Sequence, residues 1–177
     1  MVRHARREDA DACSAIYANY VVGDVISFEE VPPTGAEMGR RMAELSATHP
    51  WLVAERDGEV AGYAYAGPHR ARAAYRWAAD VSVYVSPRHH RRGVGRELYE
   101  ALFERLREQG VRVVCAGVTL PNDASVGLHE ALGFEPVGVY SRIGWKLGAW
   151  HDVGWWQLAL LPQDGEEPPD PRPPASG

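Results

Sequence analysis

The sequence predicts an α/β protein of the α+β kind, built on a mixed, largely antiparallel central sheet flanked by helices. Three observations carry this prediction. The segments follow the order β-α-α-β-β-β-α-β-α-β-β, which sets strands side by side without a helix between most of them. Residues 51–66 show two apolar runs around a Gly-containing turn, a hairpin signature. The 177 residues, 45% hydrophobic and 24% charged, suit one soluble domain.

The elements follow in chain order. A short strand covers Val2–His4. Cys13, Ile16, Tyr17 and Tyr20 fall at i, i+3, i+4 and i+7, predicting a helix from about Glu8 to Val21. Thr34 and Glu37 have capping-box spacing ahead of Met38, Met42 and Leu45, predicting a helix from Gly35 to Thr48 that Pro50 stops. Strands Trp51–Glu55 and Val60–Ala66 flank the turn Arg56-Asp57-Gly58-Glu59, and a longer strand covers Arg76–Val85. Leu98, Leu102, Phe103 and Leu106 share one face of a helix from Gly95 to Gln109, with Gly110 as its stop. Strand Val111–Val118 precedes a helix opened by Asn122 and closed by Gly133. Strands near Phe134–Arg142 and Val153–Leu161 complete the fold.

Composition excludes several classes of function. The net charge of −5 argues against a general nucleic-acid binder. No apolar run is long enough to span a membrane, and the first residues lack the apolar core of a signal peptide. Cys13 and Cys115, the two cysteines, make neither a disulfide framework nor a four-cysteine zinc site; they read as small buried thiols in a reducing cytoplasm. His89, His90, His129 and His151 show no metal-ligand spacing, so no metal is expected. Residues 162–177 hold six prolines among acidic and small residues, which predicts a disordered tail after a folded domain of residues 1–161.

The most informative stretch is Val81–Leu98, VSVYV-SPRHH-RRGVGREL. A strand ends, a loop rich in Arg and Gly follows, and an amphipathic helix starts at once. Gly93 and Gly95 permit a tight turn and close main-chain approach to a ligand. The first helical turn presents free N–H donors and the positive end of the dipole, a site for phosphate. Arg91, Arg92 and Arg96 add charge-assisted donors. Neither Gly-Lys-Ser/Thr nor a third glycine two residues beyond Gly95 is present, so this is neither a nucleotide P-loop nor a dinucleotide fingerprint. The competing reading is a solvated basic loop.

His90-Arg91-Arg92-Gly93-Val94-Gly95 resembles the pyrophosphate loop of the GNAT N-acetyltransferases, Arg/Gln-x-x-Gly-x-Gly/Ala, with His90 at the pattern's first position. The resemblance covers most of residues 1–161. The blocks WLVAERDGEVAGYAYAGP, AYRWAADVSVYVSPRHHRRGVG, LPNDASVGLHEALGFEPVG and KLGAWHDVGWWQL resemble the phosphinothricin and methionine sulfoximine/sulfone acetyltransferases. It implies the GNAT fold and acetyl-CoA as co-substrate, lying where two parallel strands splay apart. Val83, Tyr84 and Val85 would meet the pantetheine arm and thioester, and Arg91, Arg92, Gly93, Val94, Gly95 and Arg96 the pyrophosphate. Asn122 and Ser125 would also contact the cofactor, although they equally suit a helix N-cap and its N3 position.

The implied reaction is the attack of an α-amine on the thioester carbonyl, expelling a thiolate. The amine titrates near pH ~8, so a carboxylate or histidine is an adequate base. Asp80 stands where the subfamily has a glutamate proposed as the base, and it is shorter by one methylene, about 1.3–1.5 Å. The alternative for Asp80 is a strand carboxylate paired with Arg76 or Arg142. His129 falls where many acetyltransferases have a tyrosine that protonates the thiolate; the alternative is a helix histidine satisfied by a neighbour. Phe28 and Glu29 resemble a segment that closes over the substrate, while Arg70, Arg72, Tyr75 and Ser82 are candidates for holding an amino-acid-like substrate. Some of the six tryptophans are expected in the core and some on a homodimer face. The expected function is N-acetylation of phosphinothricin-like or methionine sulfoximine-like amino acids, with no nucleic-acid or membrane partner. The rivals are another small amine or a protein N-terminus as substrate, and an acyl-CoA-binding module without catalysis.

Overall fold

The computed structural model describes residues 1–174. In chain order it contains β1 (Val2–His4), α1 (Ala10–Val21), α2 (Gly35–Ser46), β2 (Trp51–Arg56), β3 (Glu59–Pro68), β4 (Ala78–Val85), α3 (Val94–Gln109), β5 (Val113–Leu120), α4 (Asp123–Ala131), β6 (Glu135–Lys146) and β7 (Ala149–Ala159). One sheet holds the strands in the order β1-β2-β3-β4-β5-β7-β6. Only β4 and β5 run parallel; the remaining neighbours are antiparallel. Element order and sheet type agree with the sequence prediction.

Period-2 alternation divides the sheet into two cores. On one face Leu98, Leu102, Phe103 and Leu106 of α3 pack on Ala79, Val81, Val114 and Ala116. On the other, Cys13, Ile16 and Tyr17 of α1 and Met38 and Met42 of α2 pack on Trp51, Val53 and Tyr63. Thr34 Oγ1 accepts from Glu37 N–H at 3.2 Å, so α2 starts where the capping box predicts.

The last hairpin departs from expectation. β6 and β7 extend to Lys146 and Ala149, where a long connection from 143 to 152 is expected. The sequence at the tip explains it: Leu147 (φ 50°) and Gly148 (φ 79°) form a two-residue turn with both φ positive, which matches strand twist. A register shift between Tyr140 and Gly144, with Arg142 at φ 49°, interrupts the alternation that would have shown a continuous strand.

Of the proline-rich segment, residues 175–177 lie outside the described residues. Residues 162–174 run back along the base of the sheet. Arg172 N–H donates to the Gln109 carbonyl at 2.8 Å, and Gln109 Nε2 donates to the Arg172 carbonyl at 2.7 Å. Trp77 Nε1 donates to the Pro169 carbonyl at 3.0 Å.

Candidate active site

The site begins where β4 and β5 part. Their pairing consists of Ala78↔Val113, Ala79↔Val114 and Asp80↔Cys115, and stops there. Beyond it the strands diverge around a cavity of about 70 Å³, lined by Ser82, Val83, Tyr84, Gly117, Thr119 and His129 among others. Hydrogen bonding fixes which main-chain groups face the gap. Ala66 N–H is turned to Pro50 on the β2 side, and the Trp77 carbonyl accepts from Arg112 and Val113 on the β5 side. Alternation then turns the N–H and C=O of Val81, Val83 and Val85 toward β5, and those of Ser82 and Tyr84 toward β3.

This corrects two expectations. Tyr84 does not offer its main chain to the gap; it contributes its ring, edge-on to Tyr17 and Tyr20 with centroids 4.9 and 5.2 Å apart. Val85 faces the gap, yet the Tyr20 hydroxyl donates to its carbonyl and accepts from its N–H, and His90 Nε2 lies 3.0 Å from the same carbonyl. His90, at the first position of the loop motif, is thus turned back onto the strand. Val83 is left as the main-chain dipole open to the gap.

At the rim of the gap the chain turns through Arg91 (φ 59°) and Gly93 (φ 78°) into α3. Gly93 caps the helix, and no side chain supplies an acceptor for the first-turn N–H groups. Those donors and the positive end of a 16-residue helix have the chemistry that attracts an anion. Arg91 and Arg92 are exposed beside it. Val94 is buried in the core, so it anchors the loop through its side chain. A Cβ on Gly95 would lie 3.3 Å from Leu128 Cδ2, so glycine there lets α3 close against α4. Arg96 does not point across the loop: it donates to the Ala131 carbonyl at 3.0 Å and pairs Glu100 at 3.3 Å, leaving its main-chain N–H for the cradle. Asn122 caps α4 by accepting from Ser125 N–H at 3.1 Å, and both residues line the gap as well.

His129 is buried on α4. Its Nδ1 lies 2.7 Å from the Ser125 carbonyl, which only accepts, so Nδ1 carries the proton. Its Nε2 then accepts from the Tyr99 hydroxyl at 3.1 Å. Burial lowers the pKa of His129 and favours the neutral ring, while the Ser125 carbonyl opposes this. The neighbour-satisfied histidine and the cleft-lining histidine are therefore one residue.

Asp80, Ser82 and Tyr84 share the α1/α2 face of β4. Asp80 pairs with neither Arg76 nor Arg142. Its Oδ1 lies 2.6 Å from His69 Nδ1, and Arg76 is bound instead to Asp170. Burial pushes the Asp80 carboxyl up; His69 and the charge of Arg70 act against it without reversing the direction. Cys115, paired with Asp80 across the strands, is only half-buried, and His69, Asp80 and Cys115 bring one atom each within 4.8 Å of one another. Burial raises the Cys115 thiol to about 11, so it stays protonated.

The other candidate substrate ligands divide. Arg70 is exposed, close enough to act on both Asp80 and Cys115. Tyr75 sets its edge against the His69 ring at 5.8 Å. Ser82 lines the gap. Arg72 is exposed and opens the short turn at residues 73–75. Glu29 is already occupied: Arg41 donates to both its oxygens at 2.7 and 3.1 Å and Tyr17 at 3.0 Å, and Arg41 above all holds the carboxyl below its usual range. Phe28 packs on β6, where a Cβ on Gly144 would collide with its ring. Glu29 and Phe28 therefore hold the 22–34 connection over the site instead of presenting free groups. Sequence reasoning gave no place in the site to His69, Tyr20, Tyr99 or Cys115; His69 alone carried a local signal, standing next to Arg70.

Residues 2–155 match the model of the acetyltransferase (GNAT) domain. The chain belongs to the GNAT acetyltransferase family. It is similar to a phosphinothricin N-acetyltransferase of Streptomyces viridochromogenes, at 44% identity over 97% of this chain and 91% of that one. It is also similar to an L-methionine sulfoximine/L-methionine sulfone acetyltransferase of Pseudomonas paraeruginosa, at 37% identity over 91% and 95%. Among solved structures, a GNAT phosphinothricin acetyltransferase from Sinorhizobium meliloti in complex with AcCoA superposes with a TM-score of 0.87 at 36% identity, covering 90% of this chain and 88% of that one. In this GNAT chain the strand splay and the glycine loop fall within the matched region, as does the His129 helix. None of its helices, among the described residues, is long and apolar enough to cross a membrane.

Proposed function

We propose that this acetyltransferase transfers the acetyl group of acetyl-CoA to the α-amine of a small amino acid with a tetrahedral phosphorus or sulfur group at its far end, of the phosphinothricin and methionine sulfoximine/sulfone type. The observation that carries this reading is the parting of β4 and β5 after Asp80↔Cys115, directly above the α3 loop. The gap suits an extended amide-bearing arm, with Val83 as its main-chain partner, while the N–H groups of residues 93–96 suit a diphosphate. Asp80 serves the amine side of the reaction, and the buried His129–Tyr99 pair lines the side of the gap from which the thiolate departs. Arg70 is the cation placed to meet an anionic substrate. Holding amine and thioester together supplies much of the acceleration.

The catalytic domain is residues 1–161, with 162–177 an appendage. A second copy of the chain is the partner: Val137, Val139, Ile143, Trp145 and Trp150 form an exposed apolar face on the last hairpin, and Trp145 and Trp150 are 56% and 57% exposed. Two free thiols and the use of acetyl-CoA support a cytoplasmic setting.

The test is thiol release from acetyl-CoA with phosphinothricin, methionine sulfone and a short peptide as acceptors. Release with the two amino acids and little with the peptide is expected. Comparable turnover of the peptide overturns the substrate class, and tight acetyl-CoA binding without release from any acceptor overturns the enzyme reading.

A further inference from the structure

We propose that His69 is the base that takes the proton from the substrate amine, with Asp80 the residue that positions it; this rests on the acetyl-transfer reading above. The argument starts from one hydrogen bond. Asp80 Oδ1 lies 2.6 Å from His69 Nδ1, and an ionised carboxylate only accepts, so the imidazole proton sits on Nδ1. The lone pair is then on Nε2. That atom has no hydrogen-bond partner among the described residues, and it is not among the polar atoms sealed from solvent. The His69 side chain is 18% exposed, so a small molecule can reach it from solvent.

The ring is also held. Tyr75 and Trp155 stand edge-on to it at 5.8 and 6.2 Å, fixing its plane while leaving Nε2 open. A carboxylate that fixes the tautomer of an imidazole whose other nitrogen faces a reactant is a recurring arrangement for proton abstraction. It also accounts for the short side chain at position 80. Asp80 reaches about 1.3–1.5 Å less far than a glutamate, and the oxygen it offers is already engaged; the imidazole carries the accepting lone pair beyond it. The groups facing His69 are Asp80 on β4, Cys115 on β5 and Arg70 and Tyr75 on its own loop. The Cys115 thiol stays neutral across the working range. Asp80 is thus the one carboxylate among these neighbours, set against the nearby cation Arg70.

The step balances without a further reagent. The amine nitrogen forms a C–N bond to the acetyl carbonyl carbon, and its proton passes to Nε2. The C–S bond breaks with its electron pair going to sulfur, the thiolate takes a proton from solvent, and the imidazolium returns its proton to solvent, so no net proton is gained or lost.

The experiment uses the full-length protein and follows kcat/KM for phosphinothricin between pH 5 and 9, with acetyl-CoA affinity measured in parallel by calorimetry. For the wild type kcat/KM is expected to fall along an acid limb as the pH is lowered, because a protonated imidazole cannot accept the amine proton. His69→Gln is expected to lose about 10²–10³-fold in kcat/KM, to lose that limb, and to bind acetyl-CoA as the wild type does. Added imidazole should restore part of the rate in His69→Gly. Asp80→Asn is expected to keep the limb but shift it to lower pH, because a negative neighbour of the imidazole is gone. His69→Gln retaining full kcat/KM, or a slowed enzyme with the acid limb unchanged, overturns the proposal and returns the base to Asp80. A wild-type enzyme that binds acetyl-CoA but releases no thiol to any amine overturns the acetyl-transfer reading itself, which the His69 variants do not touch.

Discussion

Gly93 is the position where one methyl group separates two accounts of the phosphate loop. Gly93 sits at φ 78°, ψ −2° as the cap of α3, and a Cβ there would meet nothing within 4 Å. Crowding by the added carbon is therefore not the constraint; the backbone conformation is. A non-glycine residue in the left-handed region costs about 1–2 kcal/mol. Gly93→Ala is expected to lower the melting temperature by about 2–8 °C, at about 2–4 °C per kcal/mol for a chain of this size. If the loop sheds the strain by rotating the peptide units ahead of α3, the N–H groups of residues 94–96 lose their convergence. Acetyl-CoA then binds about 5–30-fold more weakly, the equivalent of that 1–2 kcal/mol. Gly93→Asn should recover much of either loss, since asparagine tolerates positive φ. Thermal unfolding and calorimetric titration with acetyl-CoA read the two quantities separately. Wild-type affinity in a Gly93→Ala protein that also melts like the wild type, the strain having been relieved by movement of the loop, would show that the loop's shape does not set the diphosphate contacts, and would remove the loop from the site.

Two further perturbations probe the frame around the site. Lys146 is buried and its Nζ donates to the carbonyls of Val21 and Ser27 at 2.7 Å each, tying β6 to the 22–34 connection. Lys146→Met strands both carbonyls and should cost about 2–4 kcal/mol in urea unfolding, raising KM for the amino acid with little change in acetyl-CoA affinity; an unchanged KM would detach that connection from substrate binding. At the other end, Arg3 binds both oxygens of the buried Asp9 at 2.7 and 2.9 Å. Burial pushes the Asp9 carboxyl up, but Arg3 and the Arg6 N–H outweigh it, leaving its pKa below the usual value. A depressed folded pKa gives stability that is present above the unfolded value near 3.9 and is lost as pH falls through the folded one. Asp9→Asn should therefore cost about 3 kcal/mol at pH 7 and progressively less below pH ~4, where the wild-type carboxyl is protonated too; a penalty independent of pH would refute the ion pair as its source.

Elements with a single strong period were legible in the sequence. The apolar stripes of α2 and α3 and the Thr34 cap appear where spacing predicts them, because helix periodicity and capping are local properties. The same holds for the anion cradle, which needs only a strand, two glycines and a helix in succession. β6 was legible only to Arg142, because a register shift breaks the alternation that reveals a strand and its outward side chains are apolar, not polar. Glu29 and Arg96 looked free in the sequence because their partners, Arg41 and the Ala131 carbonyl, lie 12 and 35 residues away.

The proton chemistry shows the limit most clearly. A carboxylate on the central strand is visible in one dimension, and so is its missing methylene. What that carboxylate does depends on His69, eleven residues earlier on the neighbouring strand's exit, and on Cys115, thirty-five residues later. Strand pairing places both: β3 leads out antiparallel past Asp80, with Gly67 opposite it, and β5 runs in parallel beside it. The sheet order thus gathers three groups into one cluster while the next turn of the same two strands opens the gap. The carboxylate that positions the base and the thioester site are set within three residues of each other on β4 by one event, the end of the β4–β5 ladder. A substitution that prolongs that ladder past Asp80 would close the gap and cover the cluster together, so cofactor entry and proton transfer are structurally inseparable here even though their residues are far apart in sequence.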